Sequence, residues 1–100
     1  MSNHDWSFQT KLLHNESKVD RGTGSVSVPI HHSSTFHQFD IDEFGKYDYA
    51  RSGNPTREAL ESAIAELEGG SRGLAFSSGM AAISTAFLLL SQGDHVLVTE

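Results

Sequence analysis

The chain contains no cysteine. That absence removes a disulfide scaffold, a thiolate nucleophile and thiolate metal sites together. Basic residues are scarce as well: seven stand against thirteen acidic ones, for a formal net charge of −6. The deficit is spread evenly over the two halves, so no basic stripe exists to neutralise a polyphosphate backbone, and nucleic acid is not expected as a partner. An acidic surface is also repelled by anionic membranes. Long hydrophobic runs are missing. The longest, Ala86 to Leu90, is much too short to span a bilayer. The polar stretch Met1 to Lys11 has no apolar core behind a positive flank and does not read as a secretory signal. Together these features fit a cytoplasmic protein with no membrane association.

Familiar motifs are absent too. There is no G-x-G-x-x-G dinucleotide fingerprint and no Walker A loop ending in G-K-[ST]. Six histidines are present, but His31 and His32 are adjacent and point to opposite faces of an extended chain. His4, His14, His37 and His95 have no metal-ligand spacing. No metal site is expected. Asp40, Asp42 and Glu43 read as a solvated loop, with Asp5 and Asp20 elsewhere in the arm.

What is present is the composition of a folded domain, 37% apolar and 20% charged, in a chain long enough for one small domain. Residues 1–53 read as an arm. Ser7 to His14 can form a short helix, Asp20 to Gly24 a turn, and Val26 to Ile30 an extended stretch that Pro29 keeps out of a sheet interior. An arm without a core of its own lies against something else.

The signals sharpen from Asn54, a candidate N-cap with Pro55 at the first helical position. Leu60, Ala63, Ile64 and Leu67 recur at helical spacing, Glu58, Glu61, Glu66 and Glu68 are expected on the solvent side, and Gly69-Gly70 ends the helix. Gly73 to Ser77 reads as a strand, Met80 to Leu90 as a helix apolar around most of its circumference, and His95 to Thr99 as a second strand. This is one β-α-β unit with a right-handed crossover. Two parallel strands cannot cover their own faces, so the unit is expected to belong to a larger domain that continues beyond residue 100.

Two stretches look suited to phosphate. In Ser77-Ser78-Gly79-Met80-Ala81-Ala82, a strand hands over to a helix N-terminus, whose first N–H groups lack intrahelical partners and whose dipole favours an anion. Gly79 allows close backbone approach, and Ser77 or Ser78 can add a hydroxyl. A serine-rich cap before a packing helix accounts for the same residues without a ligand. In Tyr47 to Thr56, Arg51 offers a fork of donors, and Tyr49 faces the same way if the segment is extended. Taken alone, this pair is more simply read as surface packing.

Combined with Leu60-Glu61, Leu67-Glu68-Gly69-Gly70 and Gly93-Asp94-His95-Val96-Leu97, these stretches resemble the Cys/Met-metabolism family of pyridoxal 5′-phosphate (PLP) enzymes. The likeness runs back through Ser27-Val28-Pro29-Ile30 and Ser33-Ser34-Thr35-Phe36. It implies an α/β chain, the N-terminal part of an aspartate-aminotransferase-like protein of fold type I. Residues 1–53 would form the subunit-clasping arm, and residues 54–100 the start of the PLP-binding large domain.

By this resemblance Gly79 and Met80 give backbone N–H groups to the PLP phosphate, with Ser77 and Ser78 lining the corner. Tyr49 and Arg51 reach the phosphate in a neighbouring subunit of a homotetramer built from two catalytic dimers, with Tyr49 also near the amino-acid substrate. Within the family, Phe36-His37-Gln38-Phe39 and Tyr47-Asp48-Tyr49 lean towards the enzymes that cleave cystathionine by β-elimination. Cystathionine γ-synthases, γ-lyases and O-acetylhomoserine- or methionine-processing enzymes are the alternatives, and a small assembly module is the non-enzymatic one. The family's cofactor-bearing lysine has no counterpart here: Lys11, Lys18 and Lys46 all precede the phosphate corner, so these residues by themselves are expected to be inactive.

Overall fold

A computed structural model describes residues 6–14 and 20–99. His4, Asp5, Lys18 and Glu100 lie outside the described residues. Three helices run along the described residues: α1 (Phe8–Leu13), α2 (Pro55–Glu68) and α3 (Gly79–Phe87). Each starts where a side chain can replace the missing intrahelical acceptor. Ser7 caps α1 by accepting from the Thr10 N–H, Asn54 caps α2 through Thr56, and Ser78 caps α3 through Ala81. Pro55 occupies the first turn of α2, where its absent N–H costs nothing. At the other end Gly69 adopts the left-handed conformation (φ 66°), and its N–H and that of Gly70 close on the last carbonyls.

The expected helix from Met80 to Leu90 is shorter than its apolar run. Regular α-helix ends at Phe87, and Leu88, Leu89 and Leu90 donate instead to carbonyls three residues back. This is the tighter 3₁₀ pattern common at helix ends.

The arm folds back on the first half of α2. His31 N–H donates to the Thr56 hydroxyl at 2.9 Å, that hydroxyl donates to the Pro29 carbonyl at 3.2 Å, and the Asn54 amide donates to the His31 carbonyl at 3.1 Å. The helix cap is thus also the anchor of the arm. Further along, Thr35 and Tyr49 form an antiparallel bridge, flanked by Phe36 N–H to Asp48 O and Ala50 N–H to Ser34 O. The Gln38 side chain staples the intervening loop, donating to Tyr47 O at 2.9 Å and accepting from Gly45 N–H at 2.6 Å. Asp40, Asp42 and Glu43 project from this loop into solvent, as expected. The Asp20 turn also forms, its carboxylate accepting from the N–H groups of Gly22 and Thr23.

Two expectations change, one about the β-α-β unit and one about α2. Segments 73–77 and 95–99 flank α3 as anticipated, yet neither carries a strand ladder among the described residues. A strand needs partners for its N–H and C=O groups, and these segments do not find them in each other. The faces of α2 also follow the pattern only in part: Ala63 and Leu67 are half-buried and Glu68 is exposed as expected. Glu58 and Glu61 are half-buried against the arm and the segment after α2, whereas Leu60 and Ile64 are 54% and 48% exposed. Among the described residues, this polar side meets the arm and the segment after α2, while Leu60 and Ile64 stay largely uncovered.

The same holds throughout. No described residue is buried, and Leu89 and Leu97 stand 87% and 99% exposed. The Cα radius of gyration is 17.5 Å, against about 13 Å for a compact domain of this length. Each uncovered Leu or Ile forgoes roughly 1.5–3 kcal/mol of burial. Local capping and turn bonds, rather than a core, define what is seen here.

Candidate functional site

The corner at Ser77–Met80 is built by the cap of α3. The Ser78 hydroxyl accepts from Ala81 N–H at 3.1 Å, and the helix closes with Ala82 N–H on Ser78 O at 3.2 Å. With Ser78 occupied in this way, the N–H groups of Gly79 and Met80 have no acceptor among the described residues. A Cβ built on Gly79 would meet nothing within 4 Å, so the space beside that glycine is open. Two amides without an acceptor at a helix N-terminus suit an anion such as a phosphate dianion. The residues present therefore fit the phosphate end of PLP.

Tyr49 and Arg51 form the second element. The Arg51 guanidinium lies over the Tyr49 ring, 5.1 Å from its centroid, so the two groups are presented together. Their loop is held from several sides. Asp48 accepts from Tyr49 N–H at 2.7 Å and from the Ser52 hydroxyl at 2.7 Å, while Tyr49 O accepts from the N–H groups of Ser52 and Gly53. These bonds favour the charged carboxylate, and they hold Asp48 below its ordinary pKa of 3.8, the Ser52 hydroxyl contributing most.

Because the folded value is depressed, the stabilisation is present above pH 3.8 and is lost as pH falls through the lowered value. Ser52→Ala is expected to move the Asp48 titration, followed by carboxyl NMR, back up towards 3.8. An unmoved midpoint would remove the hydroxyl as the main cause.

The chain does not join the two phosphate-seeking elements to each other. No hydrogen bond or ring contact links Tyr49 or Arg51 to Ser77–Met80 among the described residues. Between them lies α2, whose polar face carries groups that the sequence pattern assigned to solvent. Arg57 donates from its two terminal nitrogens to Ala50 O at 3.1 Å and Arg51 O at 3.2 Å. Its Nε is 3.7 Å from the Glu61 carboxylate, which accepts from Ala75 N–H at 3.0 Å.

Glu58 is engaged by Lys46 and by the Tyr47 hydroxyl, with Lys46 the larger cause of its depressed pKa. An open cavity of about 330 Å³, lined by residues including Arg57, Glu61, Arg72 and Gly73, follows this polar face. Helical spacing placed Glu58 and Glu61 correctly on one face, but nothing in it indicated that the face is occupied.

The family model for Cys/Met metabolism PLP-dependent enzymes matches residues 9–100. The chain belongs to that family. It is 73% identical over its whole length to the cystathionine beta-lyase MetC of Bacillus subtilis, covering 26% of that protein. The cystathionine gamma-synthase/O-acetylhomoserine (thiol)-lyase of the same organism is 48% identical, again over the whole chain and 26% of the relative. Among solved structures, cystathionine gamma-lyase from Lactobacillus plantarum, complexed with L-serine, superposes on 90% of the chain with a TM-score of 0.81 at 52% identity, 23% of that structure being matched.

The fold is therefore that of the PLP-dependent fold type I enzymes, as the motif blocks implied. The chain spans about a quarter of the length of the relatives it matches. Among the described residues no helix is long and apolar enough to cross a membrane.

Proposed function

We propose that this chain supplies the phosphate-gripping quarter of a cytoplasmic, PLP-dependent carbon–sulfur lyase that cleaves L-cystathionine by β-elimination to homocysteine, pyruvate and ammonia. Residues 1–53 act as the subunit-clasping arm, and residues 54–100 open the PLP-binding domain. The observation that carries the cofactor part is the pair of amides at Gly79 and Met80 that find no acceptor among the described residues, with open space beside Gly79. The choice of β-elimination is supported by 73% identity to a β-lyase against 48% to a γ-synthase from the same organism.

Each residue has a definite part in this reading. Gly79 and Met80 donate to the phosphate, Ser77 adds its hydroxyl, and Ser78 keeps the helix end open by capping it through Ala81. Tyr49 and Arg51 reach from one subunit into the site of the next in a homotetramer of two catalytic dimers. There the Arg51 fork meets phosphate oxygens, and the Tyr49 phenol stands beside the substrate. When bound, PLP supplies an electron sink for the reacting carbon. Gripping its distant phosphate turns remote binding energy into orientation where bonds change.

The test is an assay of the enzyme that carries this sequence, with PLP and L-cystathionine. Pyruvate release is the expected result. Release of 2-oxobutyrate would move the assignment to a γ-lyase, and thioether formation from an acylated homoserine without either oxo acid would move it to a γ-synthase. Absence of PLP binding would leave only an assembly role.

A further inference from the structure

We infer that Arg57 and Glu61 are positioning residues that couple the Tyr49–Arg51 loop to the Ser77–Met80 corner, so that the grip a subunit offers its neighbour and the grip it keeps for its own cofactor are set together. The inference rests on the cofactor reading above and adds to it a connection between the two elements. Arg57 sits in the first turn of α2, where the helix dipole disfavours a cation. Its placement is explained by what it holds: the adjacent carbonyls of Ala50 and Arg51, at 3.1 and 3.2 Å, on either side of the peptide that presents the Arg51 side chain.

The third nitrogen of the same guanidinium faces Glu61 at 3.7 Å. As a half-buried i,i+4 pair with the basic residue first, at 3.7 Å, this contact adds little stability by itself. The consequence lies in what Glu61 does with its other bond. It accepts from Ala75 N–H at 3.0 Å, two residues before Ser77.

The backbone around that bond has no slack. A Cβ on Gly73 would lie 2.3 Å from the Glu61 carbonyl oxygen, so the segment entering the corner runs against α2 itself. One guanidinium and one carboxylate, a single helical turn apart, thus tie both phosphate-seeking segments to the same rigid element. A shift of either segment is felt at the other through three hydrogen bonds and the ion contact between Arg57 and Glu61, rather than through a flexible loop.

The test uses the PLP enzyme carrying this sequence, with variants Arg57→Gln, Glu61→Gln, their combination, and Arg57→Lys. PLP affinity of the apoenzyme is measured by equilibrium dialysis, and amide hydrogen exchange is followed across residues 49–53 and 75–80. Each glutamine variant is expected to weaken PLP binding about tenfold, and the double variant no more than the worse single one, the signature of coupled residues. Arg57→Gln should raise exchange at 75–80 as well as in its own loop. Arg57→Lys, which keeps the charge but lacks the rigid fork that meets two carbonyls and Glu61 at once, should recover part of the loss, and it stands in if the glutamine variant does not fold.

Additive effects, or an exchange change confined to 49–53, would overturn the coupling. Arg51→Gln distinguishes the two levels of the argument. If it weakens PLP binding while Arg57 and Glu61 variants do not, the coupling is wrong and the cofactor reading stands. If it leaves binding unchanged, the cofactor reading of Arg51 fails, and the exchange data alone decide whether the two segments are coupled.

Discussion

Gly73→Ala is expected to lower the thermal midpoint of the enzyme carrying this sequence and to weaken its hold on PLP in the same step. The new Cβ would fall 2.3 Å from the Glu61 carbonyl oxygen and 3.1 Å from the carbonyl carbon. Both are backbone atoms within a helix, so no rotamer relieves the overlap and the segment must move off α2. Overpacking of this kind costs about 1–3 kcal/mol.

The movement also lengthens the bond from Ala75 N–H to Glu61, and through it disturbs the approach to Ser77–Met80. Gly53→Ala is a useful contrast. Its Cβ would lie 3.2 Å from a carbon of the Tyr47 ring, a side chain that can give way, and its effect should be smaller. Thermal melts with PLP release followed in parallel check both variants. Equal midpoints for Gly73→Ala and the unsubstituted enzyme would show that the 73–77 segment does not run this close to α2.

Arg51→Gln is expected to separate binding from stability. Loss of a charge-assisted contact to a phosphate removes roughly 1.5–3 kcal/mol, a fall in PLP affinity of about ten- to a hundredfold. The guanidinium is exposed and rests on the Tyr49 ring, and substitutions at such surface positions usually change stability by less than about 0.5 kcal/mol. Equilibrium dialysis against PLP and a urea titration of the same sample report the two quantities. A large loss of stability with unchanged affinity would make Arg51 a packing residue of the loop. The stacked geometry further predicts that removing the Tyr49 ring lowers the affinity by itself, because Arg51 loses the face on which it rests.

Much of the local structure was legible because it is decided within a few residues. A side chain at 7, 54 or 78 caps the helix that follows it, proline at 55 suits a first turn, and glycine at 69 can turn left-handed without a Cβ penalty. The open start of α3 was legible for the same reason, since it consists of the Ser78 cap and the amides that follow it. The end of α3 was not: Leu88 to Leu90 continue the apolar pattern but bond in a tighter turn, and composition carries no signal for that choice.

Arg57 and Glu61 were illegible in a different way. Their spacing is that of an ordinary solvent-facing pair, and their significance depends on carbonyls at 50 and 51 and an amide at 75 that reach them only after the chain has folded back.

The helix caps, the order of the motif blocks along the chain and the family they belong to were thus determined by the sequence alone, because each rests on residue types at short fixed spacing. The tertiary structure decided which face of α2 is in use and what lies between those blocks. It did so through long-range backbone contacts, and a backbone carbonyl or amide is chemically the same at every position, so no pattern of side chains announces where it will be met.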